Sequence, residues 1–218
     1  MSHVVKDIGW GVIDIIRHEH RIFFQQRWLY DWQVAAGLSR WTTLEKRQLH
    51  AQVDRLIWRT WSNRVKLASV GKREYEIGGT WPINLDVRWV TKRPHWTVTI
   101  TKVAAGTAGV GEVFWDARRI SLNTGDMVRS TVCTDAPAPA QVCRANFETV
   151  PHEFGHAFGN TAVLSRGDEY RTTSPHLADT SSILNIGNQL RTRHFRTLLE
   201  GMNTMVPGVV WSVSSIRN

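Results

Sequence analysis

The chain has 218 residues, of which 42% are hydrophobic and 21% charged; this globular composition excludes a disordered chain and suffices for one large core. The formal net charge of +8 and a pI near 10.1 favour polyanionic surroundings, such as nucleic acid or an anionic envelope, without naming a partner. No apolar run approaches the roughly 18 residues of a membrane span, and residues 12–16, broken by Asp14 and followed by Arg17, lack the apolar centre of a cleavable signal peptide, so a carrier or a non-classical route is expected if the protein leaves the cytoplasm.

Residues 5–35 read as helical, because Ile13, Ile16, His20, Phe23, Phe24 and Trp28 recur at helical spacing. After a break at Gly37 to Trp41, Thr42 or Thr43 can cap a second helix with Glu45 or Lys46 in its first turn. That helix is expected to reach about Lys66, with Leu49, Val53, Ile57 and Trp61 on one face. Residues 83–90 and 95–101 alternate apolar and polar side chains on either side of Pro94 and read as a hairpin. A flexible turn over 106–111 leads to one or two further strands within 112–122. Helical pattern returns from about Phe147 through Ala162, an irregular stretch follows over 165–188, and a last helix is expected over 191–202. The layout is α+β with one core over residues 1–218: helices over 5–66, a twisted mixed or antiparallel sheet over about 81–122, and a helical region over about 147–202. Eleven Trp are unusually many, and since each indole N–H needs a partner, part of them is expected at a partly exposed groove or interface.

Cys133 and Cys143 stand ten residues apart around a turn-rich Ala/Pro segment. That spacing suits a closed disulfide loop better than a redox or zinc pair and suggests an oxidising compartment.

Chemistry concentrates in His152-Glu153-Phe154-Gly155-His156. On a helix, residues four apart share a face, so both imidazoles can reach one metal ion. Zinc brings a bound water's pKa towards neutrality and polarises a carbonyl, and Glu153 beside it can act as general base. Such a site needs a third protein ligand. The pattern HExxHxxGxxH would place a His at 162, where Ala162 stands, although Gly159 matches. Glu200 on the expected last helix is the first choice, with Asp168, Glu169 and His194 competing. Ser182-Ile183-Leu184-Asn185 resembles the Ser-Ile-Met-Asn turn under the metal of metzincins, with Leu184 in place of Met. Tyr170, His176 and His194 are candidates for stabilising an oxyanion. His18-Glu19-His20 has a spacing that suits a strand and reads as incidental on a helix.

Over residues 147–202 the chain resembles the zincin-type metallopeptidase effector domain at the C-terminus of some type VI secretion VgrG spike proteins. The resemblance rests on residues 151–160 with Gly167-Asp-Glu-Tyr170, Ser182-Ile-Leu-Asn185 and Arg193-His-Phe-Arg196. It implies a zincin-like toxin that binds Zn2+ through His152, His156 and Glu200, uses Glu153 as base, and cleaves a protein or peptide in the target-cell periplasm. It also implies a spike as carrier and an immunity protein as partner. Two other readings compete. One keeps the zinc site and makes it a peptidoglycan amidase; the other is a basic, Trp-rich binding module for polyanions, although no recognisable nucleic-acid motif accompanies it.

Overall fold

In the computed structural model, which describes residues 3–218, the chain opens on strands where the apolar spacing suggests a helix. These are β1 (His3–Asp7), β2 (Val12–Ile16) and β3 (Arg21–Val34). In β3 the buried residues alternate strictly: Ile22, Phe24, Gln26, Trp28 and Tyr30. Its other face is half-buried and also apolar at Phe23 and Leu29, so an i, i+3, i+4 pattern can be picked from the strand.

The second expected helix is present as α1 (Thr43–Trp61). Thr42 accepts from the Glu45 N–H while the Glu45 carboxylate accepts from the Thr42 N–H, a reciprocal cap. Leu49, Val53, Ile57 and Trp61 form its buried stripe, as the spacing requires. The helix stops at Trp61, short of Lys66, because Asn63 takes a positive φ of 54° and the chain turns into strand β4 (Val65–Val70). A short α2 (Arg73–Glu76) leads to β5 (Trp81–Trp89), β6 (Trp96–Lys102), β7 (Glu112–Phe114) and β8 (Arg119–Asn123).

β5 and β6 are strands, but they do not form the expected hairpin. Both run parallel to β3, which lies between them. The fourteen residues of β3 serve both partners in turn: Ile22 to Trp28 pair with β5, and Trp28 to Val34 pair with β6. Residues 90–95 join them at that level, where Val90 N–H donates to the Trp28 carbonyl and His95 N–H to the Arg27 carbonyl. β8 continues parallel to β6, and β7 closes this edge antiparallel to β8. The other edge is β11 (Val210–Ile216), antiparallel to β4.

A separate two-stranded sheet pairs β9 (Ser130–Cys133) with β10 (Cys143–Phe147), and Cys133 and Cys143, opposite each other in its register, form a disulfide. The motif helix is α3 (Thr149–Ala157); it ends before Ala162 because Gly159 adopts φ +99°. The last helix divides into a 3₁₀ turn over residues 192–195 and α4 (Arg196–Met202). The architecture is therefore α+β, with a mixed nine-stranded sheet and four helices.

Most tryptophans build the core. Trp10, Trp28, Trp61, Trp81, Trp96, Trp115 and Trp211 are buried, Trp32, Trp41 and Trp89 are half-buried, and only Trp58 is exposed. Several buried indoles meet their N–H requirement inside the protein, as where Trp61 donates to the Pro151 carbonyl at 3.0 Å and Trp96 to the Trp10 carbonyl at 3.2 Å. The partly exposed rings that the count led us to expect are Trp58 and a cluster in which Trp32 meets Trp41 at 5.1 Å and Trp89 at 5.5 Å. No described helix is long and apolar enough to cross a membrane.

Candidate metal centre

Helix α3 is held deep in the protein by Phe154 and Phe158, both fully buried against Trp61. A side chain at Gly155 would come within 2.7 Å of Leu184 and 3.1 Å of Trp61, so only glycine lets these neighbours approach the helix. This packing leaves the opposite face of α3, carrying His152 and His156, at the base of a cleft.

The two imidazoles meet with ring centroids 4.8 Å apart and planes at 80°. His152 Nδ1 donates to the Ile183 carbonyl at 2.7 Å, and His156 Nδ1 donates to the Asn160 carbonyl. A carbonyl can only accept, so each Nδ1 carries a proton and each neutral ring presents a bare Nε2. The two Nε2 atoms lie 3.1 Å apart, and Asp168 Oδ1 lies 3.2 Å from one and 3.0 Å from the other. His152, His156 and Asp168 form the one His/Cys/Asp/Glu group among the described residues able to hold a metal ion together. Donors at 2.0–2.2 Å from a tetrahedral ion stand about 3.3–3.6 Å from one another, so the three atoms lie close to the spacing at which they could share one metal ion.

The electrostatics point the same way. Burial works against a charge on His156, but the Asp168 hydrogen bond and the charge of Glu153 outweigh it and push the ring up to about 9. Burial alone would raise the Asp168 carboxyl; hydrogen bonds from both histidines instead hold it far below the usual carboxylate range. Three electron-rich atoms this close favour a positive charge between them.

Glu153 is buried, and its desolvation raises its pKa against the opposing pull of the two histidines. It lines a cleft of about 420 Å³ with His156, Asp168, Tyr170 and the residues of β7. Gly111, just before β7, has no side chain where a Cβ would stand 2.6 Å from Glu153 Cγ. The Tyr170 phenol is pushed upward by burial and then by Asp168, so it remains a proton donor beside the histidines, 6.1 Å from the His152 ring.

The other expected residues fall elsewhere. Glu200 is not brought to the histidines: its half-exposed carboxylate accepts from Arg166 at 2.8 Å and Arg196 at 3.0 Å on the surface. The seven-residue α4 presents Leu198 and Met202 to the core, which turns Glu200 outward. Asp168, one of the competing choices, takes the position that Glu200 was expected to take. Glu169 is buried in a two-pronged ion pair with Arg193 at 2.6 and 2.7 Å, and His194 is enclosed by Ser182, Glu169 and Arg191. His194 therefore does not reach the cleft, and His176 lines a neighbouring cavity. Ser182 to Asn185 braces the site: Ile183 orients His152, Leu184 packs under Gly155, and Asn185 donates to the carbonyls of Glu169, His176 and Leu177. His18 and His20 lie at the β2–β3 turn, with His20 packed on Trp81 5.0 Å away.

The strands expected within 112–122 are present as β7 and β8, but the sequence reading did not place β7 beside Glu153. Strand pattern within one segment does not show which helix that strand will lie against. Compared with protein-family models, curated proteins and solved structures, the chain matches none of them.

Proposed function

We propose that the chain is a zinc-dependent metallohydrolase acting on peptide bonds, with His152, His156 and Asp168 as the protein ligands and Glu153 as the general base. The observation that carries this reading is the meeting of two tautomer-locked Nε2 atoms and one carboxylate oxygen within 3.2 Å, one residue away from a buried, ligand-free carboxylate. Zinc bound there would supply Lewis acidity towards an amide carbonyl and make water a better nucleophile.

The rest falls to the chain's own groups. Glu153 accepts a proton from the attacking water and returns it to the leaving nitrogen; its raised pKa brings it nearer the working pH, as efficient proton transfer requires. Tyr170, kept protonated, donates to the oxygen on which negative charge develops. The Ile183 and Asn160 carbonyls keep both imidazoles in the ligating tautomer. β7 pairs only with β8, so its outer edge is free to take an extended peptide as an added strand next to Glu153. Four parallel strands, β5, β3, β6 and β8, closed by an antiparallel edge beside the motif helix, favour a zincin-like fold.

The resemblance over residues 147–202 extends the proposal to an effector toxin carried by a type VI secretion spike and acting in the periplasm, where the Cys133–Cys143 disulfide would persist. The test is Glu153→Gln. The purified variant should keep its circular dichroism and one zinc per chain but lose about 10²–10⁴-fold in peptide cleavage, and it should no longer inhibit growth when exported to the periplasm of a host bacterium. Undiminished cleavage by that variant discards the peptidase reading. Release of peptides from purified peptidoglycan, with no cleavage of proteins, would turn it into an amidase.

A further inference from the structure

A cavity of about 660 Å³ is lined by Asp168 but not by Glu153. Ala162, Gly167, Asp168 and Arg171 line both this cavity and the cleft that holds Glu153 and His156, so the two form one groove divided only by the ligand loop. Four guanidinium groups border the larger cavity: Arg166, Arg171, Arg193 and Arg196. Against them stand two lining carboxylates, Asp168 and Glu169. Asp168 commits Oδ1 to the histidines and leaves Oδ2 to a 3.4 Å contact with Arg171, and Glu169 is consumed by Arg193.

The remaining three arginines are incompletely paired. Arg166 Nε is buried without a hydrogen-bond partner. Arg196 uses only Nε, towards Glu200, and its side chain is 69% exposed. Arg171 uses Nη1 towards Asp135, sets Nε 3.4 Å from Asp168 Oδ2 and lies over the Tyr170 ring at 4.8 Å, with Nη2 uncommitted and its side chain 55% exposed. The pairing carboxylates, Glu200 and Asp135, are themselves 53% and 42% exposed, so these bridges are weak surface pairs that an incoming anion can outcompete. Arg166 and Arg196 already converge on one oxygen, Glu200 Oε1, which shows that the two guanidiniums stand at the separation at which one carboxylate oxygen accepts from both.

We infer that this arginine-lined cavity is a specificity subsite that receives a carboxylate of the substrate next to the bond being cleaved. The inference rests on the peptidase reading for its substrate class, a peptide with an anionic group, but the cavity's preference for anions can be measured without turnover. Either an Asp or Glu side chain or a free C-terminal carboxylate would supply the group.

The test has two arms. In the first, metal-loaded wild-type protein digests a mixed peptide library and the cut sites are read by mass spectrometry. In the second, Glu153→Gln protein captures peptides from two libraries: one with internal acidic residues and amidated ends, and one neutral throughout with free C-terminal carboxylates. Both arms are repeated in Arg196→Gln and in Arg166→Gln/Arg196→Gln, whose side chains bond Thr197 and Glu200 and no proposed metal ligand. Acidic residues, or the free terminus, should be enriched at least about tenfold near the cut and among captured peptides, and the enrichment should fall to near unity in the double variant while neutral peptides are handled as before. Enrichment of one library over the other identifies the source of the carboxylate. Cleavage without anionic enrichment, or enrichment that survives the double variant, overturns the subsite and leaves the peptidase reading standing. Arginine-dependent capture with no cleavage by the wild type upholds the subsite and removes the peptidase reading. Absence of both cleavage and capture removes both.

Discussion

Replacing Asp168 and Glu200 in parallel separates the ligand set that the geometry supports from the one the motif alone suggests. Asp168 contributes one of three donor atoms within 3.2 Å of each other. Removal of a residue that merely supports a ligand costs about 10–100-fold in metal affinity, so Asp168→Ala, which removes a proposed ligand, should weaken zinc binding by at least about 100-fold, or about 2.8 kcal/mol. Asp168→Asn, which keeps an oxygen but not the charge, should fall between that variant and wild type. Glu200 makes only two exposed bridges, to Arg166 and Arg196. Such pairs are worth about 0–1 kcal/mol, so Glu200→Ala should leave zinc affinity within about twofold and lower Tm by no more than about 2–4 °C. Competition titration against a chromophoric chelator gives the affinities, and thermal unfolding of the metal-free proteins gives the stability change. If Glu200→Ala weakens zinc as much as Asp168→Ala does, the assignment is refuted, because α4 would then have to rotate its buried Leu198 and Met202 outward to deliver Glu200.

Three further outcomes are expected. Gly111→Ala places a methyl 2.6 Å from Glu153 Cγ and from Thr149 Cγ2; displacement of the base should lower kcat at least about tenfold with zinc content unchanged, and an unaltered kcat would show that Glu153 has room to shift. Trp61→Phe removes the indole that donates to Pro151 at the start of α3 and leaves a void in a fully buried site, so urea unfolding should report a loss of about 2 kcal/mol. The Asp54 carboxyl, lifted to about 6 by burial and then by the adjacent Asp86, binds its proton more tightly when folded than when unfolded. Stability from this group is therefore greatest below pH 4 and declines as pH rises towards 6. Because Asp54 is half exposed the effect is about 1 kcal/mol after solvent screening, and Asp54→Asn should flatten the urea midpoint between about pH 4 and 7; an unchanged slope in that window would contradict it.

Features bounded by one or two helical turns were legible in the residues themselves. The Thr42–Glu45 cap, the Leu49 to Trp61 stripe and the His152/His156 pair each follow from a spacing of three or four on a helix, and the Cys133–Cys143 bridge follows from a loop short enough to close. Residues 5–35 were not legible, because half-buried Phe23 and Leu29 on the outer face of β3 stand beside buried Phe24 and Trp28 and blur the alternation that distinguishes a strand from a helix. Nor was the order β5-β3-β6, since two neighbouring alternating segments look the same whether they pair with each other or straddle a third.

The amino-acid order by itself determined the chemistry on offer: two imidazoles on one helix face and a carboxylate between them. Which carboxylate completes the set was decided only by tertiary structure. Gly159 ends α3 early enough for residues 160–168 to fold back over the histidines, while the packing of Leu198 and Met202 sends Glu200 to solvent. Local spacing is a property of a few covalent bonds, whereas a ligand drawn from a returning loop depends on where every intervening residue finds its burial and its hydrogen-bond partners.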